Sequence, residues 1–335
     1  MKKVISPLLA VLMLVGMLAG CANRSEMPTV TATPAGPQAE SDADEKIRIV
    51  TTIFPEYDWV REILGDKGDS AEITMLLDNG VDLHSYQPTA DDIIKLSDCD
   101  LFVYVGGESD GWVEGALKSA ANKDRKVINL LDVLGDSVKE EETVEGMQEE
   151  EEDHEEKEYD EHVWLSLKNA KTLVGAISAA LQEIDPDNKD AYAANADAYG
   201  QKLSALDAEY QKAVSAGTYK TLLFGDRFPF RYLVDDYGLS YYAAFAGCSA
   251  ESEASFETVS FLARKVDEGK LPCVLTIEGK NHKIAETVVQ NTAGKNQKIL
   301  TMDSMQSTTS QDVAGGTTYL SLMEKNLDVL KEALG

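Results

Sequence analysis

Short apolar runs alternate with amphipathic stretches in the first half of the chain. Runs rich in β-branched residues favour strands, and stretches with apolar residues three or four positions apart favour helices. The predicted strands cover 47–53, 71–77, 101–105 and 126–129, and the first two helices between them cover 57–64 and 91–96. Such alternation is typical of parallel sheets with helices on both faces.

Two long helical patterns follow, at 165–183 and 189–213, and Pro186 separates them. Beyond them the alternation restarts. The predicted strands there cover 221–224, 240–245, 273–277 and 299–302, and the helices cover 230–237, 256–268, 283–290 and a C-terminal segment. The pattern therefore predicts an α/β protein of two similar lobes with mainly parallel sheets, joined by one long rigid helix. We place the N-terminal lobe at 45–186, the linking helix at 187–216 and the C-terminal lobe at 217–335.

The first residues indicate export. Lys2 and Lys3 precede an apolar run at 4–17, which has the length of a secretory signal core and is too short to span a bilayer. The signal segment is predicted at 1–20. Its end, Leu18–Cys21, resembles a bacterial lipobox, in which Cys21 carries the lipid; the alternative is an ordinary cleavage site with an incidental cysteine. Residues 21–44 lack apolar periodicity and are predicted to form a disordered tether.

The charge of the chain is strongly acidic and unevenly distributed. The formal net charge is −28, and roughly half of it falls in an acidic loop at 139–161. A basic nucleic-acid-binding face is therefore excluded. The usual interpretation of such a loop is a solvated, disordered segment. The functional alternative is an antenna that concentrates divalent cations by its field, with His154 as an auxiliary metal-capturing residue.

Three cysteines remain after Cys21, namely Cys99, Cys248 and Cys273. An odd number cannot all pair within one exported chain. A disulfide between Cys248 and Cys273 is one alternative, and reduced, buried thiols are the other.

Two of the four histidines lie in loops that favour a metal site. His84 follows a predicted strand, where ligands bind in parallel sheets. His162 ends the acidic loop. Neither belongs to a local metal motif, so we expect the fold to assemble the site; a loop histidine that only satisfies a backbone group is the alternative. His282 is predicted to face solvent.

Several ordered motifs resemble one family, the metal-binding lipoproteins of bacterial ABC importers, which are the cluster A-I solute-binding proteins for zinc and manganese. The resemblance covers about 47–334. The residues that carry it are Thr51–Pro55, His84–Thr89, Leu101–Tyr104, Glu108, Trp112, His162–Leu165, Tyr237–Leu239, Met302–Ser304 and Tyr319–Leu334. The family's fold, two α/β lobes bridged by a long helix, agrees with the periodicity.

The resemblance implies a metal site in the cleft between the lobes. His84, His162 and Asp303 match three family ligands. At the remaining position the chain departs from the pattern, because one register places Arg227 there, and a guanidinium cannot coordinate a cation. Asp226 is the expected substitute, and water is the alternative. Glu278 is expected either to orient a metal ligand by contacting that ligand instead of the ion, or to form a surface salt bridge.

The implied function is capture of a divalent transition metal, with zinc expected and manganese as the alternative cargo. The implied partners are an ABC importer permease and its ATPase, and the lipid on Cys21 would hold a monomer on the outer face of the cytoplasmic membrane. We expect no catalytic cofactor. The rival hypotheses are a zinc hydrolase with Glu278 as its base and a surface adhesin.

Overall fold

The structure is a computed structural model that describes residues 46–148, 158–249, 253–279 and 281–335. The predicted signal segment, the tether with Cys21, and His154 lie outside these residues. Within the described ranges, no helix has the length and apolar character needed to span a membrane.

The first sheet has four parallel strands in the order β2-β1-β3-β4. Its strands are short, and about half of their residues are buried. They are β1 (Ile47–Thr51), β2 (Ala71–Met75), β3 (Leu101–Tyr104) and β4 (Lys126–Asn129). The flanking helices are α1 (Phe54–Leu64), α2 (Ala90–Asp98), α3 (Val113–Ser119), α4 (Leu130–Leu134) and α5 (Leu167–Ile184).

A helix of 28 residues, α6 (Lys189–Ala216), joins this sheet to the second one. At 1.5 Å per residue it is about 42 Å long. Its buried side chains recur every three or four positions, so one face packs along the core. These side chains are Tyr192, Tyr199, Leu203, Leu206, Tyr210 and Val214. The helix matches the predicted linking helix.

The second sheet repeats the topology of the first, with parallel strands in the order β6-β5-β7-β8. Its strands are β5 (Thr221–Phe228), β6 (Ser240–Ala246), β7 (Cys273–Ile277) and β8 (Lys298–Met302). Its helices are α7 (Arg231–Tyr237), α8 (Phe256–Gly269), α9 (Lys283–Asn291), α10 (Ser310–Ala314) and α11 (Tyr319–Leu334). The predicted fold class, two similar α/β lobes with parallel sheets and one long joining helix, is confirmed.

One apolar core continues from the first lobe into the second. Trp164 lies at its centre and is fully buried. Its indole nitrogen donates to Ser304 O at 2.9 Å, and its carbonyl accepts from the Tyr319 hydroxyl at 2.6 Å. These two bonds fix the segment after His162 against the loop after β8, so loops from both lobes meet at one place.

The first part of the acidic loop is held against the second lobe. Glu142 pairs with Arg231 at 3.1 Å, and Gln148 N donates to Ala244 O at 2.9 Å. A β-bridge between Glu140 and Tyr159 closes the neck of the loop. The expectation of disorder is therefore wrong for 140–148, because cationic and backbone partners on the second lobe hold this part, although Glu140, Glu142 and Glu145 stay exposed to solvent.

Asp58 links the first and last helices of the fold. Its Oδ2 accepts from Tyr319 N at 2.8 Å and so caps α11. Burial, which outweighs this hydrogen bond, raises the pKa of Asp58 to about 6. The folded state therefore favours the neutral carboxyl, and this contribution to stability is lost as pH rises from about 4 through 6.

We expect Asp58→Asn to raise the unfolding midpoint by roughly 2–5 °C at pH 7.5, because the amide oxygen keeps the hydrogen bond and no buried charge forms. The gain should shrink at pH 4.5, because the wild-type carboxyl is then largely protonated in the folded state and little buried charge remains. Thermal unfolding at the two pH values measures this, with Asp328→Asn on the exposed face of α11 as the control. An equal shift at both pH values would contradict the assignment.

Candidate metal centre

The loops that follow the carboxyl ends of several strands converge between the two sheets. His84 follows β2, Ser109 follows β3 and Cys248 follows β6. Asp226 lies near the end of β5, Glu278 directly follows β7, and Asp303 directly follows β8. Ligands of parallel α/β sheets bind at these ends, so the topology itself places polar side chains in one cleft.

His84 sits in a short 3-10 turn, Leu83–Ser85, whose first amide groups are capped by Asp82. Its Nδ1 lies 2.8 Å from Ser109 Oγ and 3.5 Å from Glu161 Oε2. Ser109 N in turn donates to Glu161 Oε1 at 2.9 Å. The ring is thus held on its Nδ1 side, which leaves Nε2 facing His162. Its side chain is 9% exposed, so it borders the cleft.

His162 is completely buried. Asp160 Oδ1 accepts from its backbone N–H at 2.9 Å and from Nδ1 at 3.0 Å. In the tautomer that donates from Nδ1, the lone pair lies on Nε2, and the Gln306 amide nitrogen lies 3.3 Å from that atom. Asp160 therefore orients the ring by the kind of carboxylate contact that orients metal-bound histidines. The sequence prediction did not include Asp160 or Ser109.

The two imidazoles face each other through Nε2, and these two nitrogens are 3.2 Å apart. Two nitrogen lone pairs at this distance repel unless a cation or a proton lies between them. At zinc–nitrogen bond lengths of about 2.0 Å, two ligands of a tetrahedral ion are about 3.3 Å apart. The pair therefore has the spacing of two ligands of one zinc ion.

The two rings differ in their affinity for the shared proton. Burial, together with the charges of His162 and Arg227, lowers the pKa of His84 to about 3. Burial also disfavours charge on His162, but the carboxylates of Asp160 and Glu161 raise its pKa above the ordinary value. A proton shared between the rings is thus held more strongly by His162 than by His84.

A third donor lies beside the pair. Ligand atoms of His84, His162 and Cys248 are all within 4.8 Å of one another, and no ion is present. Cys99, Cys248 and Cys273 are all free thiols, so the disulfide alternative does not hold in this structure. The sequence prediction treated Cys248 only as a partner of Cys273. The available signal was its place in a loop directly after a strand.

Asp226 borders the same cleft, but both of its oxygens are engaged. Oδ2 accepts from Thr276 Oγ1 at 2.7 Å and from Ile277 N at 3.2 Å, and Oδ1 accepts from Arg227 N. Arg227, which one register of the family pattern places at a ligand position, pairs with Asp82 at 2.5 Å. Asp226 is not part of the group formed by the two imidazoles and the thiol, so its role as a ligand stays a prediction.

Asp303 and Glu278 lie close to each other, in the loops after β8 and β7. Asp303 Oδ1 accepts from Met305 N at 2.8 Å, and burial together with the nearby Glu278 raises its pKa to about 6. Glu278 accepts from the amide and hydroxyl of Ser304, both at 2.7 Å. Glu278 thereby holds the loop whose Gln306 reaches His162. The structure does not bring Asp303 into the group around the imidazoles, and its role as a ligand also stays a prediction.

His282 is not a solvent-facing residue, contrary to expectation. Its ring is partly buried, and Nδ1 lies 2.8 Å from Thr276 Oγ1. The Thr276 hydroxyl also contacts Asp226, so His282 belongs to the network that holds Asp226. The local sequence gave no sign of this contact, because Thr276 comes from the preceding strand.

Known proteins match this chain in sequence and in fold. The profile of the family described as ZnuA, "Zinc-uptake complex component A periplasmic", matches residues 49–333. The chain belongs to the ZnuA family. The zinc-binding lipoprotein AdcA of Streptococcus pneumoniae serotype 4 is 32% identical over 299 residues, which are 88% of this chain and 57% of that protein. The chain thus spans a little over half the length of that relative.

A second relative is covered almost fully. The high-affinity zinc uptake system protein ZnuA of Bacillus subtilis is 31% identical over 327 residues, which are 95% of this chain and 94% of that protein. Among solved structures, the Zn(II)-bound ZnuA-like domain of Streptococcus pneumoniae AdcA aligns with a TM-score of 0.67 and 31% identity, covering 86% of this chain and 99% of that one. The ZnuA family assignment therefore rests on sequence and fold together.

We expect the fall of zinc affinity with pH to become steeper, by about a further factor of ten per pH unit, as pH drops through the raised pKa of His162, because the ion then replaces one more proton. The steeper decline should begin above pH 6.5, the ordinary histidine value. Competition with a chromophoric chelator between pH 8 and 5.5 measures it. An unchanged slope over this range would show that the ion displaces no imidazole proton.

Proposed function

We propose that the protein captures zinc outside the cytoplasmic membrane and delivers it to an ABC importer. The observation that supports this most directly is the buried pair of imidazoles whose Nε2 atoms lie 3.2 Å apart in the cleft between the lobes. The names of the AdcA and ZnuA relatives, which specify zinc, agree with it.

The donor set favours zinc over manganese. Imidazole nitrogen is a good ligand for zinc, whereas manganese prefers carboxylate, carbonyl and water oxygens. His84 and His162 are both fixed on their Nδ1 sides, so little ordering of these rings is needed when the ion enters. Asp226 and Asp303 remain proposed oxygen ligands of the same ion, and each would first have to leave its present hydrogen bonds.

Binding suits this site better than hydrolysis. A zinc hydrolase needs a carboxylate free to take a proton from the metal-bound water. Glu278, the candidate base, accepts three hydrogen bonds from the loop after β8, through Ser304 N, Ser304 Oγ and Gln306 N. Its oxygens are committed to holding that loop, as expected for a supporting residue of a binding site.

Delivery to an importer requires that the protein stay near the membrane. We propose that a lipid on Cys21 anchors it to the outer face, that residues 21–44 form the tether, and that it works as a monomer. The partners are the importer's permease and its ATPase. The proposed boundaries remain 45–186 and 217–335 for the lobes, with 187–216 as the linking helix. Ion release is expected to involve small movements of the cleft loops, because the lobes share one core.

We expect His84→Ala and His162→Ala each to weaken zinc binding at least a hundredfold while leaving the fold intact, because each substitution removes one nitrogen ligand of the ion. Isothermal or chelator-competition titration with zinc measures this, and circular dichroism checks the fold. Asn291→Ala is the control, since that exposed side chain at the end of α9 contacts Thr287 of the same helix. Unchanged affinity in His162→Ala would reject the site.

The acidic loop gives a separate prediction about rate. Residues 149–157 carry seven carboxylates and one lysine, and a field of this sign speeds encounter with cations mainly at low salt. We expect deletion of 149–157 to leave equilibrium zinc affinity within about threefold but to slow loading at low ionic strength. Stopped-flow mixing with zinc at two salt concentrations tests this. A large loss of affinity would mean that the segment, with His154, supplies a ligand.

A further inference from the structure

Cys248 occupies the position from which a third ligand would reach the ion. It lies two residues beyond the end of β6, on the lobe opposite His84. Its Sγ and the ligand nitrogens of His84 and His162 are within 4.8 Å of one another. For tetrahedral zinc, sulfur and nitrogen ligands are about 3.6 Å apart, so a shift of roughly 1 Å completes the geometry.

The backbone before Cys248 is shaped to approach the imidazole. A Cβ added to Gly247 would lie 3.0 Å from His162 Cε1 and 2.9 Å from Phe228 O. Such contacts are closer than ordinary packing allows, so only glycine lets the chain pass this near to the ring. Glycine at 247 therefore brings the next residue, a cysteine, to the edge of the metal centre.

The acidic loop also holds the backbone at Cys248 in place. Cys248 N donates to Glu141 Oε1 at 3.0 Å, and Glu141 N donates to Glu158 O at the neck of the loop. The cysteine is thus held between the neck of the acidic loop and the His162 ring. A thiol that only filled the core would need neither contact, whereas a ligand has to be held in place.

We propose that Cys248 is a protein ligand of the zinc ion, so that the centre is built from two imidazoles and one thiolate. This inference rests on the proposed zinc function and makes it more specific. On binding, the Sγ–H bond breaks, the proton passes to solvent, and the thiolate electron pair forms the bond to zinc. One negative charge then offsets the buried cation, and a fourth position remains for water or a carboxylate.

The proposed thiolate has a consequence for selectivity. Sulfur ligands favour zinc and disfavour manganese, which prefers oxygen. In the register that places Arg227 at a family ligand position, a substitute donor is needed. We propose that Cys248, from the loop after β6, supplies this donor in place of Asp226, which then keeps its bonds to Thr276 and Ile277.

Cobalt(II) substitution tests the proposal directly, because a thiolate bound to cobalt gives a sulfur-to-metal charge-transfer band in the near ultraviolet and imidazole or carboxylate does not. The full mature protein, kept reduced and free of other metals, is titrated with cobalt(II). We expect the wild type and Cys273→Ser to show the band at one equivalent. Cys248→Ser should lose it and bind zinc at least about tenfold more weakly.

The outcomes separate the two claims. Cobalt and zinc bound by the wild type without the band, or the band retained in Cys248→Ser, would overturn the thiolate ligand and leave the imidazole site intact. No binding of either metal by the wild type would instead overturn the proposed function. The wild-type spectrum decides the first question even if Cys248→Ser fails to fold.

Discussion

The contact between His84 Nε2 and His162 Nε2 is the constraint on which the rest of the site depends. Each ring is fixed from behind, one through Ser109 and one through Asp160, so neither can turn away from the other. The buried pair is therefore relieved only by a proton or a metal ion. A site prepared in this way binds with little ordering cost, which favours tight capture of a scarce ion.

The fold holds the two rings opposite each other although His84 follows β2 and His162 follows the acidic loop. Trp164 and Tyr319 fasten the segment after His162 to the second lobe, and α6 packs along the shared core. A rigid core of this kind restricts movement to loops. The loop after β6 carries Cys248, and Arg227 pairs with Asp82 across the cleft, two residues before His84. We expect exchange of the ion to depend on these contacts more than on lobe rotation.

The sequence predicted the sheets well because strand and helix periodicity is local. The strand at 126–129 and the strand at 273–277 coincide with β4 and β7, and the short helices α3, α4 and α10 were missed because five to seven residues carry little periodicity. His84 and His162 were found through motifs. Ser109 and Cys248 were not, because each reaches the site from a part of the chain distant in sequence. Asp160 lies only two residues from His162, but its contact with the ring depends on the local backbone turn.

The same limit explains the differences at the acidic loop and at Asp226. A run of carboxylates predicts repulsion, but Arg231 and the backbone of Ala244 lie far away in sequence. Asp226 was chosen for its charge beside Arg227, whereas Thr276 and Ile277 from the next strand hold its oxygens. Charge patterns thus indicated the region near the cleft, but they did not indicate which residues contact these carboxylates.

X-ray absorption at the zinc edge, recorded on the protein loaded with one equivalent of zinc, tests the central claim most directly. We expect a first shell with nitrogen at about 2.0–2.1 Å and one sulfur at about 2.3 Å from zinc. We also expect the outer-shell scattering of two imidazole rings. A first shell of oxygen donors without imidazole scattering would contradict it, because zinc would then lie away from His84 and His162.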